Sequence, residues 1–236
     1  MKKIPTKEYS KAGELKIAKA ITLAEILITL GIIGVVAALT IPNLITNYQK
    51  TQATSKLKKG YTNLAQAVRQ SEIDNGSNEY WDWGFGGALT PRQSFDTYWA
   101  PYLKIAQYCS TSAECGYGTT TQYADLTGTL GYNIAFPTAR TTVVLADGSV
   151  LLVMSSSGGV SLKDIYLDIN GGKGPNRYGK DVFYFILDPN KGLMPYCHSC
   201  SINTVNINCQ AGHSGSYCTA KIMKDGWEMA NDYPWS

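Results

Sequence analysis

Histidine is nearly missing from this 236-residue chain: there are two, His198 and His213, both late in the sequence. Neither has a nucleophile and an orienting acid beside it, and none of the local catalytic signatures with a known physical mechanism is present, so the expectation is a protein that is not an enzyme. A basic surface is missing too. The formal charge is +3, yet the first 20 residues hold six lysines against Glu8 and Glu14, a net +4, which leaves the remainder near −1. A weakly acidic body offers no track for a phosphate backbone, so direct nucleic-acid binding is not expected.

Cysteine is absent before position 109. The six cysteines, Cys109, Cys115, Cys197, Cys200, Cys209 and Cys218, lie in a region rich in Gly, Ser, Thr and Asn. An even number placed this way in an exported domain reads as a disulfide framework. Cys109 and Cys115 enclose five residues and form the expected first bridge. The remaining four allow three pairings, of which the nested one, Cys197 with Cys218 and Cys200 with Cys209, is favoured. Zinc is the competing reading for Cys197-His198-Ser199-Cys200 with Cys209, His213 and Cys218. A single CxxC lacks the paired knuckles of common structural zinc sites, so disulfides are preferred.

Charge is also almost missing from one long run. From Ile21 to Ile41 the sequence ITLAEILITLGIIGVVAALTI is apolar apart from threonines and Glu25, and the lysine-rich segment precedes it. Basic flanks stay cytoplasmic, so the bulk of the chain is expected outside the cytoplasm, anchored by a single membrane pass. No small-residue cleavage box follows the apolar stretch, as it would in an ordinary secretory signal, so the stretch is expected to be retained. Glu25 sits four residues after Ile21, about 6 Å along a helix, near the interface. A carboxylate there either snorkels or has a task, and its position alone leaves both readings open.

The string Ala20-Ile21-Thr22-Leu23-Ala24-Glu25-Ile26-Leu27, with Gly31-Ile32-Ile33-Gly34-Val35-Val36-Ala37-Ala38 and Ile41-Pro42, resembles the class III signal of type IV pilins and type II secretion pseudopilins. The resemblance covers about 25 residues, with charge, glutamate, glycines and proline in register. It implies removal of the basic leader between Ala20 and Ile21 by a prepilin peptidase and methylation of the new N-terminus. It further implies an assembly role for Glu25 and polymerisation with other pilin-like subunits on an inner-membrane platform, ending in a pilus or pseudopilus. Two positions depart from the family pattern, since the residue before the cut is usually Gly and the first mature residue usually Phe.

The physical logic of such a segment is general. A helix with no polar face must be buried all round, in lipid or in a bundle of like helices. Leader removal would create an amine at Ile21 that a neighbour's Glu25 can pair with in a water-poor core. Gly31, Gly34, Ala37 and Ala38 keep parts of the helix thin enough for close approach. A membrane-anchored or tip-located binding protein using the same export signal is the alternative.

Residues 1–20 read as a basic leader, 21–42 as the apolar helix, 43–76 as its amphipathic continuation, 77–139 as an aromatic-rich connection, 140–190 as an antiparallel sheet and 191–236 as a Cys-rich tail. Pro42 is expected to kink or locally melt the helix. Beyond it Ala53, Leu57, Tyr61, Leu64 and Val68 recur at helical spacing, and Asp74-Asn75-Gly76 supplies the stop. Trp81, Trp83, Phe85, Tyr98 and Trp99 are expected to fill a small core, with a binding surface as the alternative. Thr141–Ala146 and Ser149–Met154 around Asp147-Gly148 read as a two-residue hairpin, followed by strands at Ile165–Ile169 and Val182–Leu187. The fold class is therefore α+β, with a long N-terminal helix packed on a C-terminal antiparallel sheet and a disulfide-stapled tail. Between the last two strands, Asp168, Asn170 and Asp181 offer oxygens to calcium. Gly172 stands where a further ligand is needed, so a turn without a cofactor is preferred.

Overall fold

The computed structural model describes residues 22–84, 88–135, 139–154 and 163–235. The leader with the scissile pair Ala20 and Ile21, and Phe85, lie outside the described residues. The chain divides into two compact units, Met1–Thr46 and Asn47–Ser236.

The first long element is helix α1, Leu23–Asn75. Pro42 lies inside it without breaking it, so the local melting expected there is not found. The ring removes one intrahelical bond, and the turns on either side keep theirs. In the larger unit the predicted stripe is the buried one: Leu57 and Leu64 are fully buried, and Val68 and Ala53 are buried beside them. Each such leucine is worth about 1.5–3 kcal/mol of burial. Tyr61 is half-buried and stacks on Phe185 at 5.8 Å. Gly60 is the point of closest approach, since a Cβ there would stand 2.5 Å from Leu167 Cδ2. The helix stops at Asn75, where Gly76 takes φ +81° and donates its N–H to the Glu72 carbonyl.

The sheet is six-stranded and antiparallel throughout, in the order β1-β4-β5-β6-β7-β8. Its strands are β1 Ile105–Cys109, β4 Arg140–Leu145, β5 Val150–Met154, β6 Lys163–Asp168, β7 Val182–Asp188 and β8 Gly192–Pro195. A separate small sheet pairs β2 Gln122–Ala124 with β3 Leu130–Asn133. The β4–β5 hairpin is where the sequence puts it, but its loop is longer than expected. Leu145 N–H donates to Ser149 O and Gly148 N–H to Leu145 O, so Ala146, Asp147 and Gly148 form a three-residue loop with Gly148 at φ +83°. That is the geometry in which a left-handed glycine follows a tight turn.

Alternation along the strands serves two cores. Val143, Leu151, Val153, Ile165, Leu167, Phe183 and Phe185 join the cluster that includes Leu57, Leu64 and Val68 of α1. Val150, Leu152, Tyr166 and Val182 belong to a second cluster with Tyr117, Tyr123, Ile134 and Tyr178. Part of the expected loop 77–139 therefore serves as a second layer, and it also supplies helix α2, Pro91–Tyr98.

The tail carries α3, Ile202–Asn208, and α4, Cys218–Lys224. Lys221, only 3% exposed, joins them to the C-terminal segment: its Nζ lies 2.8 Å from Asp232 Oδ2, 3.1 Å from Asp225 Oδ2 and 3.1 Å from Asn206 Oδ1. A buried ammonium so surrounded is fully paired, which is the condition for burying one at all.

Candidate functional site

Among the described residues one helix is long and apolar enough to cross a membrane, and its apolar window has no buried residue. Leu23, Leu27, Ile33, Leu39 and Leu44 are between 61% and 79% exposed, and they fall on different sides of the helix. Gly31 and Gly34 have nothing within 4 Å of the space a Cβ would fill. This surface has no polar stripe to face water.

At the start of this helix Thr22 and Glu25 form a reciprocal cap. Thr22 N–H donates to Glu25 Oε2 at 2.8 Å, Thr22 Oγ1 donates to the same oxygen at 2.8 Å, and Glu25 N–H donates to Thr22 Oγ1 at 3.2 Å. This is a capping box, in which residue three satisfies the N-cap amide while the N-cap hydroxyl accepts from residue three. Glu25 thus has a partner within its own chain, and its carboxylate still faces outward on an exposed helix end. The sequence reading overlooked the box, although the Thr-x-x-Glu spacing announces it.

All six cysteines are bridged, and Cys109–Cys115 is as expected. The nested pairing of the other four is wrong: the bridges are Cys197–Cys200 and Cys209–Cys218. The local backbone explains the first, because Cys200 N–H donates to Cys197 O and closes a turn that sets the two Cα atoms 5.2 Å apart. The second ties the end of α3 to the start of α4, with both sulfurs in the main core. His198 Nε2 stands 3.6 Å from Asp188 Oδ2 and 3.3 Å from Lys191 Nζ, and both cysteines flanking it are oxidised.

The structure does bring Asp168, Asn170 and Asp181 together. Asp168 ends β6, Asp181 precedes β7, and Ile169 N–H donates to Asp181 O between them. The carboxylate oxygens of the two aspartates already accept hydrogen bonds. Asp168 accepts from Tyr117 Oη at 2.6 Å and from Asn170 N–H at 3.1 Å. Asp181 accepts from Asn176 N–H at 2.8 Å and Arg177 N–H at 2.7 Å. Burial, then the charge of Asp181, pushes the Asp168 carboxyl up to about 8, and burial raises Asp181 as well. The cleft against Asp181, about 320 Å³, is also lined by Lys56 and Lys180. Inward-pointing N–H and O–H donors and two flanking ammonium groups do not fit the open oxygen cage that calcium needs. Among the described residues no group of three or more His, Cys, Asp or Glu is placed to hold a metal ion.

The tryptophans of the aromatic segment are core. Trp81, Trp83 and Trp99 are buried, and Trp81 stacks on Tyr98 at 4.6 Å. Asp82 organises the loop by accepting the N–H groups of Gly84, Ala88 and Leu89.

No curated protein and no solved structure matches the chain. One family, described as a family of unknown function (DUF6613), matches residues 43–236, the portion that follows the apolar segment. That match covers most of the chain, which therefore belongs to this family of unknown function.

Proposed function

We propose that the chain is a pilin-like structural subunit of a type IV pilus or type II secretion pseudopilus. A prepilin peptidase cuts it between Ala20 and Ile21, and an inner-membrane platform assembles it through residues 21–42 with other pilin-like subunits. Before assembly it sits in a bacterial inner membrane by one pass, with the domain outside the cytoplasm. The observation that carries this reading is an apolar helix surface exposed on all sides and interrupted by one carboxylate, Glu25, close to its start.

Such a surface is stable in lipid and equally stable among copies of itself, so moving from one to the other costs little. The new amine at Ile21 and a neighbour's Glu25 supply the polar contact that sets register. Trp81, Trp83 and Trp99, which the tip-adhesin alternative would present to a ligand, are buried, and this favours the subunit reading. N-terminal sequencing of the membrane-bound protein tests the processing step. The expected first residue is a methylated Ile21, and a chain that still begins at Met1 would contradict it.

A further inference from the structure

Charge is segregated along the end of α1 and the turn after it. Residues 47–71 hold Lys50, Lys56, Lys58, Lys59 and Arg69 and no acid, whereas residues 72–82 hold Glu72, Asp74, Glu79 and Asp82 and no base. Beside the basic part lies an open groove of about 890 Å³. Its floor includes Ala67, Leu103 and Leu145, and its rim carries Lys59, Arg69 and Lys104. Asp147 is the acid that lines it, and it lies 3.7 Å from Lys59 Nζ. Arg69 and Lys104 are exposed and make no ion pair among the described residues, so the groove keeps a net positive rim over an apolar floor.

The acidic part contains a 3-10 turn, Asn78–Tyr80. Tyr80 is 82% exposed although both sides of its turn are pinned in place. Asn78 is buried and donates Nδ2–H to Glu72 Oε1 at 2.5 Å, and Trp81 is buried and donates Nε1–H to Gly76 O at 2.8 Å. An aromatic ring held in water by a braced backbone has little ordering cost left on binding, which is how interface anchors are built. Glu79 beside it is exposed and also makes no ion pair among the described residues.

We propose that the turn carrying Glu79 and Tyr80 of one copy docks in the groove of a second copy, with Tyr80 over the apolar floor and Glu79 against Arg69 and Lys104. The two patches differ, so the contact is heterologous, and a contact of that kind gives an open filament wherever its rotation does not close a ring. The filament reading supplies the identity of the partner, and this contact adds a second bond between subunits that lies outside the apolar helix.

The test replaces Tyr80 with a photo-activatable phenylalanine derivative in the full chain, irradiates the membrane and surface fractions, and maps crosslinked peptides by mass spectrometry. The expected result is a dimer joined from position 80 of one copy to residues 63–73 or 101–104 of another. Arg69→Glu or Glu79→Lys alone should cut its yield about tenfold, and the two together should restore most of it. Crosslinks only within one chain or to other surfaces, or yields indifferent to both reversals, overturn the proposal. Filament recovery is read from the same cells. Filaments without the crosslink sink the docking contact alone, crosslinked dimers without filaments support the contact and sink the filament reading, and the loss of both sinks both.

Discussion

Thr22 and Glu25 hold each other at the first turn of α1: the carboxylate takes the Thr22 amide at 2.8 Å while the Glu25 amide donates to the threonine hydroxyl at 3.2 Å. The cap occupies the carboxylate within its own chain, and the proposed function asks the same carboxylate to offer its charge to a neighbouring subunit. Glutamine separates them, since it keeps the capping geometry and drops the charge. If the charge matters for assembly, Glu25→Gln and Glu25→Ala should lose filament to a similar extent, and only Glu25→Ala should also fray the helix start. The paired measurement is filament recovery together with amide exchange of the first turn in detergent. Normal assembly of Glu25→Gln would leave the carboxylate only its capping role.

Disulfide mapping under non-reducing conditions should return Cys109–Cys115, Cys197–Cys200 and Cys209–Cys218 and no alkylatable thiol. Breaking the bridge between α3 and α4 with Cys209→Ser and Cys218→Ser should cost about 2–4 kcal/mol in denaturant unfolding. A peptide joining Cys197 to Cys218 would contradict the arrangement of the tail.

Stability should fall as pH rises across the neutral range. Asp168 keeps its proton up to about pH 8 in the fold, against an ordinary 3.8, so between those values the folded state binds the extra proton. Each pH unit then costs up to about 1.4 kcal/mol, the loss beginning above about pH 4 and complete above about pH 8. Asp181, raised by burial, acts in the same direction. Urea midpoints of the unit Asn47–Ser236 from pH 5 to pH 8.5 should show the decline, and Asp168→Asn should flatten it. An unchanged slope in the variant would remove Asp168 as its source.

Calcium should bind weakly at most. Tyr117 Oη and the amides of Asn170, Asn176 and Arg177 already fill the carboxylates of Asp168 and Asp181. Calorimetry on the same unit decides the matter, and micromolar binding abolished by Asp168→Ala would show that these donors give way to an ion.

Much of the fold was readable because its strongest signals are local. The Leu57, Leu64, Val68 stripe, the stop at Gly76 and the β4–β5 hairpin each arise from residues close in sequence. Helix α2 was overlooked although Thr90-Pro91-Arg92-Gln93 spells a capping box with proline at the first helical position, and the structure realises it. Strands β1 and β8 are short edges whose existence depends on β4 and β7. The Cys209–Cys218 bridge depends on where α3 and α4 stand, whereas Cys197–Cys200 is closed by a local turn. Burial of Asp168 was likewise beyond reach, because the phenol that covers it, Tyr117, lies 51 residues away.

Assembly through Glu25 is tested most directly by recovery of the protein in filaments sheared from the surface of cells expressing the wild type or Glu25→Ala. Removing the carboxylate makes the span more apolar, so insertion and leader removal should persist. Breaking one half of a buried pair costs about 3–5 kcal/mol at every subunit contact, which should suppress polymerisation. Wild-type protein beginning at Ile21 is expected in the sheared fraction, with the variant cleaved but retained in the membrane. Equal recovery of both proteins, or a wild type that never leaves the membrane fraction, would contradict it.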